Sequence, residues 1–213
     1  MRKRISGGQW FCLAMAVILA ICAVAAYLMD TTTTESFDGL ISRHKQGVGM
    51  LTEQSPVQQT FQARRGKLSA VSVMTSTYNK KLREGALSLT LTDGEGTVLA
   101  EQTYEVSALK NNAFVTLKLP APIKNSEGKT FALHASSTCT EEKGVTLRMG
   151  PLEGADGTAV LTLADGATDT ENALNLRCTY TDTVYGLLSG AALLLAALCF
   201  AACVPLSGRK ERG

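Results

Sequence analysis

A reacting centre needs a nucleophile, a base or a group of metal ligands that the fold can bring together. The chain has 213 residues and two histidines. His44 lies between Arg43 and Lys45 in a polar stretch, where a solvated loop histidine is the simplest reading. His134 falls in the middle of the alternating run KTFALHASS, on the opposite side from Phe131 and Leu133. The C-x-x-C, H-E-x-x-H, G-x-S-x-G and P-loop patterns do not occur in the sequence. Asp93 and Glu95, Asp156, and the trio Asp165, Asp169 and Glu171 offer oxygens of the kind calcium takes. Glycines stand close to each of them, and turn formation accounts for that pattern more simply. These residues predict a protein that is not an enzyme and holds no cofactor and no metal.

Binding needs fewer parts. Aromatic side chains with a polar tip suit surfaces that are half wet, including those on which sugar rings stack. Between residues 30 and 183 the aromatics are Phe37, Phe61, Tyr78, Tyr104, Phe114, Phe131 and Tyr180, with no tryptophan. The phenylalanines suit a core. Tyr78, in the polar stretch TSTYNKKL, is the best candidate for an exposed ring. With Asn79 and Lys80 beside it, it forms a candidate ligand-binding group. The missing tryptophan weighs against a glycan without excluding one.

The elements that position these residues are bracketed by two apolar runs. Residues 10–28 and 184–206 carry no charge. At about 1.5 Å of rise per residue, roughly 20 apolar residues cross the hydrocarbon of a bilayer. Both runs are near that length and predict transmembrane helices. Residues 1–9 carry a charge of +3 and residues 207–213 a charge of +2, while residues 30–183 carry −3. Basic flanks around an acidic middle predict cytoplasmic termini and an extracytoplasmic domain in the cell membrane. The same distribution argues against nucleic acid, which requires a basic face on the folded part. Two alternatives stay open for the first run. It also has the basic start of a cleaved signal peptide, with Ala23-Val24-Ala25 as the cleavage site. As a lipoprotein signal it has Leu19 and Cys22, but Ile21 is large for its position. Its length and the flanking Trp10 and Tyr27 favour the uncleaved span. In the second run, Gly186 and Gly190 form G-x-x-x-G, and Ala197 and Ala201 extend a small face for helix packing. Ala16, Ala20 and Ala23 are its candidate counterpart.

Of the six cysteines, Cys12, Cys22, Cys199 and Cys203 lie in the apolar runs. Cys139 and Cys178 lie in the middle region, where an oxidising compartment would allow a disulfide. Sequence alone does not decide whether they meet.

Residues 29–56 read as a connector, with a brief helical pattern over 36–43. From Val57 the texture changes to short alternating runs. Candidate strands are 57–63, 68–77, 86–92, 97–104, 113–119, 129–138, 145–149, 159–163 and 173–180. In ALSLTLT, Leu87, Leu89 and Leu91 share one face and Ser88, Thr90 and Thr92 the other, the period of a half-buried strand. Asp93-Gly94-Glu95-Gly96 supplies a hairpin turn. Pro120 and Pro122 are expected to end the fifth strand, since proline lacks the ladder donor. Nine short strands at even spacing predict an all-β sandwich, jelly-roll-like, over residues 57–183.

Gln59, Phe61, Leu68, Val71, Val73, Gly85, Leu87, Leu89, Leu91, Asp93, Lys129 and Phe131 also carry a resemblance. Together they resemble the jelly-roll, carbohydrate-binding-like extracytoplasmic domains of bacterial membrane proteins, some of them membrane glycosyltransferases. The resemblance covers about 80 residues, almost all core and turn positions, so it implies fold and not activity. Two functional expectations follow. The first is a non-enzymatic, two-pass protein of the cell envelope that lies in the lipid bilayer. Its sandwich would engage a membrane or envelope protein partner, or a second copy of itself. The alternative is a glycan-binding accessory module for envelope polysaccharide synthesis or transport.

Overall fold

The computed structural model describes residues 7–28, 31–36, 46–140, 144–152, 159–182 and 186–203. It divides into a unit formed by the two terminal segments and a unit spanning residues 32–181.

The first unit is a helix pair. Helix α1 spans Gly7–Leu28 and α2 spans Gly186–Cys203, and they pack on one another. Neither contains a charged residue. Ala16 and Ala23 of α1 are buried, with Leu19 and Ala20 half-buried between them, which is the three-and-four spacing of one helix face. Among the described side chains of α2 the buried one is Ala196, with Ala192 half-buried one turn earlier. Gly190 and Ala197 are exposed, because α2 turns its Ala192–Ala196 side inward and Ala197 lies about 100° further round. The side chains of positions 186 and 201 lie outside the described residues. At the helical rise the two helices are about 33 and about 27 Å long. Among the described residues, no helix is long and apolar enough to cross a membrane.

The second unit is a two-sheet β-sandwich, as expected. Its strands are β1 (Thr31–Ser36), β2 (Gln46–Gly47), β3 (Val57–Gln62), β4 (Lys67–Ser76), β5 (Ala86–Asp93), β6 (Val98–Glu105), β7 (Ala113–Lys124), β8 (Thr130–Ser137), β9 (Thr146–Pro151), β10 (Val160–Thr162), β11 (Thr168–Asp169), β12 (Asn172–Leu174) and β13 (Leu176–Asp182). One sheet runs β1-β13-β4-β9-β12, with β2 against β9 and β7 against β4. The other runs β11-β10-β3-β8-β5-β6. From β7 to β10 the chain passes from sheet to sheet, a crossing connectivity rather than a meander.

Period two decides what fills the space between the sheets. Phe61, Leu87, Leu89, Leu91, Phe131, Leu133 and Leu161 enter from one side, and Leu68, Val71, Val73, Leu117, Leu147, Leu176 and Tyr180 from the other. The rings of Phe61 and Phe131 stand 5.8 Å apart, tilted at 31°. Polar side chains also join the layers, Tyr104 of β6 donating to the Thr116 carbonyl of β7 at 2.6 Å. Buried Gln59 of β3 accepts a hydrogen bond from the Leu174 amide of β12 at 3.0 Å and donates to the Thr60 carbonyl at 2.8 Å.

Three expectations need correcting. The stretch over 29–56 is no mere connector. β1 and β2 join the seven-stranded sheet, and Leu51 is buried and bridges to Val145. Residues 37–45, with the brief helical pattern and His44, lie outside the described residues. Pro120 and Pro122 do not end β7, which runs on to Lys124. β7 pairs only with β4, and the prolines lie where the register shifts between Leu68 and Ala70, so the ladder has no donor to lose there. Finally, the strand expected over 173–180 is broken at Asn175. That residue donates to the Arg148 carbonyl at 2.7 Å and accepts from the Met74 amide at 3.0 Å. It thereby hands the chain from β9, the partner of β12, to β4, the partner of β13.

Candidate functional site

Tyr78 and Asn79 occupy the turn that follows β4. Both have positive φ, +52° and +61°, and the Lys80 amide closes the turn on the Thr77 carbonyl at 2.9 Å. A tyrosine held in the left-handed region is uncommon and persists only where neighbours fix it. The neighbours come from three directions. Ser76 Oγ donates to Asn111 Oδ1 at 2.7 Å, and the same oxygen accepts the Thr77 amide at 3.1 Å. Asn111 Nδ2 donates to Asn79 Oδ1 at 2.7 Å. The Tyr78 amide donates to Ser76 Oγ at 3.2 Å.

Beneath the turn lies Arg148 of β9, only 6% exposed. Its Nη2 donates to Ser76 Oγ at 2.9 Å and its Nε to Asn112 Oδ1 at 3.0 Å. Its guanidinium carbon stands 5.3 Å from the centre of the Tyr78 ring, within cation–π range. At Gly47 a Cβ would come within 2.6 Å of the Tyr78 hydroxyl, so only glycine leaves that hydroxyl its place. Tyr78 nevertheless stays 46% exposed, and Asn79, Lys80 and Lys81 are exposed beside it. The result is a braced, half-exposed ring next to an amide and two ammonium groups. Such a surface offers stacking and hydrogen bonding.

The structure thus brings Tyr78, Asn79 and Lys80 together and adds Ser76, Asn111, Asn112 and Arg148, which sequence reading missed. Arg148 takes a polar place in the regular alternation of VTLRM, so the sequence carries no signal that its side chain is buried. Its partners lie 36 and 72 residues away in the chain.

Other candidates are separate. Cys139 and Cys178 are free thiols, so the disulfide that was left open is not formed. Cys178 lies on β13 opposite Val71, whereas Cys139 follows β8 and packs against Gly85. Burial pushes the Cys178 thiol far above the usual thiol range, with its neighbour Tyr180 raised for the same reason. Neither thiol is set up as a nucleophile. Cys139 also lines a cleft of about 340 Å³ with Thr52, Glu53, Gln54, Ser55, Ser137, Thr138 and Thr140. The carboxylates considered as calcium ligands serve turns. Asp93 accepts the amides of Glu95 and Thr97, Asp165 that of Ala167, and Asp169 those of Glu171 and Asn172. The Asn172 side chain also bonds Asp169 and holds its carboxyl below the usual range. Asp156 lies outside the described residues. His134 is half-buried and faces Thr92 at 3.4 Å, and burial lowers its pKa.

No family model matches the chain, and no curated protein matches it. Among solved structures it is similar to a family two carbohydrate esterase from Cellvibrio japonicus, at 10% identity and a TM-score of 0.28. That match covers 72% of this chain but only 34% of the esterase. It is also similar to the C-terminal domain of the sugar-binding protein EclA, at 18% identity and a TM-score of 0.27, covering 57% of this chain and 79% of that one. A third likeness is to the flagellar cap protein FliD of Escherichia coli, at 11% identity and a TM-score of 0.23, covering 96% and 73%. Likenesses this slight decide no function.

Proposed function

We propose that this chain is a non-enzymatic, two-pass membrane protein that displays a β-sandwich outside the cytoplasm for a protein partner in the cell envelope. One observation carries the anchoring. Among the described residues, ten of the twelve exposed large apolar side chains lie on α1 and α2, including Phe11, Ile18, Ile21, Leu194 and Leu198. The residues buried between the helices are alanines. Water would not leave so much apolar surface uncovered, whereas lipid covers it without cost. Small residues at the contact and large ones outside are the arrangement that packing in hydrocarbon favours. Exposed Gly190 and Ala197 remain available to a further helix, which supports assembly with a partner or a second copy. The basic tails set the orientation, with both ends cytoplasmic.

A membrane-impermeant lysine reagent on intact cells tests this directly. Lys80, Lys110 and Lys124 label, while Lys3 and Lys210 label only after the membrane is opened. Labelling of Lys210 in sealed cells overturns the orientation.

The braced Tyr78 ring supports a second reading, a glycan-binding accessory role in the envelope. The full chain in detergent would then bind an envelope polysaccharide, and Tyr78→Ala would abolish the binding with the unfolding midpoint unchanged. Equal binding by the variant removes the turn from consideration.

A further inference from the structure

Two turns of the sandwich are locked into one ledge. The first joins β3 to β4 and carries Arg64 and Arg65, with Lys67 at its exit. The second joins β7 to β8 and carries Glu127 and Lys129, with Lys124 at its entry. Buried Ser126 ties them together. Its amide donates to the Gly66 carbonyl at 3.1 Å, and its hydroxyl oxygen accepts the Leu68 amide at 3.0 Å while donating to the Arg65 carbonyl. The Ala63 amide donates to the Lys129 carbonyl at 3.0 Å, and the Gly128 amide returns to Ala63 at 2.8 Å.

The ledge is fastened to the two strands nearest the helices in sequence. The Arg64 amide donates to the Tyr180 hydroxyl of β13 at 2.9 Å, six residues before α2 begins. Arg65 pairs with Glu35 of β1 at 2.8 Å, seven residues after α1 ends.

Charge on the ledge runs against the rest of the domain. Five cations face the two carboxylates Glu35 and Glu127, although residues 30–183 are net acidic. Lys67 and Lys124 are direct cross-strand partners, an arrangement that like charges destabilise. Leu68 turns inward, so Lys67 turns outward, and Lys124 and Lys129 are exposed. Among the described residues no carboxylate pairs with these three lysines. One lysine suffices to blunt an edge strand such as β7. Three on one rigid ledge, two of them opposed, need a further explanation.

We propose that this ledge binds the anionic headgroups of the bilayer in which the helices are anchored. The inference rests on the anchoring reading above and adds a lipid preference to it. Phosphate groups neutralise the opposed lysines, and the hydrogen-bonded turns present them without reordering.

The test uses the full chain reconstituted into vesicles of phosphatidylcholine alone and of phosphatidylcholine with phosphatidylglycerol. Acylation rates at Lys67, Lys124 and Lys129 are read by mass spectrometry, with Lys80 and Lys110 as internal references. The expected result is a slowing of about fivefold at the three ledge lysines in the anionic vesicles, the gain of one lysine at such a surface. The references keep their rates, and high salt reverses the slowing. Equal rates in both vesicles, or equal slowing at all five lysines, overturn the proposal and leave the anchoring intact. Failure of the chain to float with either vesicle at alkaline pH overturns the anchoring and the ledge together.

Discussion

The helix pair and the sandwich solve the packing problem in opposite ways. The sandwich buries its largest side chains, with Phe61, Phe131, Tyr180 and a set of leucines filling the space between its sheets. The helix pair buries Ala16, Ala23 and Ala196 and leaves Phe11, Ile21 and Leu194 outside. In water the largest apolar groups contribute most when hidden. In hydrocarbon that difference vanishes, and close approach of the backbones is what remains to be gained. Under the anchoring proposed above, the contrast reports the solvent that each part of one chain is built for.

The contrast breaks or sharpens under four changes. Phe61→Ala should cost the sandwich about 3–5 kcal/mol, since a fully buried ring leaves a cavity. Urea unfolding of the full chain in detergent, followed by circular dichroism, measures it. A loss below about 1 kcal/mol would mean that the core is far looser than its burial implies. Leu194→Asp comes next. At a site 65% exposed, water would tolerate the change within about 0.5 kcal/mol, whereas a helix centre in lipid loses about 2.5–3.5 kcal/mol of insertion energy. Lys210 of the variant should then label with the impermeant reagent in sealed cells, and unchanged protection would mean that Leu194 does not face lipid. Ala23→Leu should then destabilise the helix pair by about 1–3 kcal/mol through overpacking, while Val24→Leu, exposed next to it, does little. Thermal unfolding in detergent separates them, and equal effects would remove the distinction between the two faces.

The smallest effect is titration of His134. Burial lowers its folded pKa below the ordinary 6.5. The unfolded chain therefore takes up the proton more readily. The contribution is fully present above pH 6.5 and is lost as the pH falls through the lowered folded value. His134→Gln should flatten that part of the stability profile. An unchanged slope in the variant would assign the acid sensitivity to another group.

Much of the sandwich was readable because alternation survives in short runs. ALSLTLT and its neighbours sort their residues by face without any knowledge of partners, and β3 to β10 stand close to their expected places. What escaped had no such period. TTTTES of β1 is polar throughout, and Gln46–Gly47 is too short to alternate. Pro120 and Pro122 misled because their effect depends on which strand lies beside them, and β7 has a partner on one side only. The candidate site divides along the same line. Tyr78 and Asn79 stood out as a polar turn, but the brace of Ser76, Asn111 and Arg148 is assembled across β4, the β6–β7 connection and β9. Periodicity does not register contacts of that kind. The helix faces were hard to read for a narrower reason. Small residues surround α2, and composition does not choose among neighbouring stripes 100° apart.

The place of β13 sets a clock on folding. The last strand lies between β1 and β4, so the seven-stranded sheet closes only when a segment near the end of the chain reaches one near its start. A ribosome must therefore have made the chain as far as Asp182 before that sheet can close. Contacts so distant in sequence form slowly, because a long loop must be closed before they contribute. Until then β4 and β9 keep open hydrogen-bonding edges at the positions that β12 and β13 will take. Those edges are covered only as Leu176–Asp182 docks.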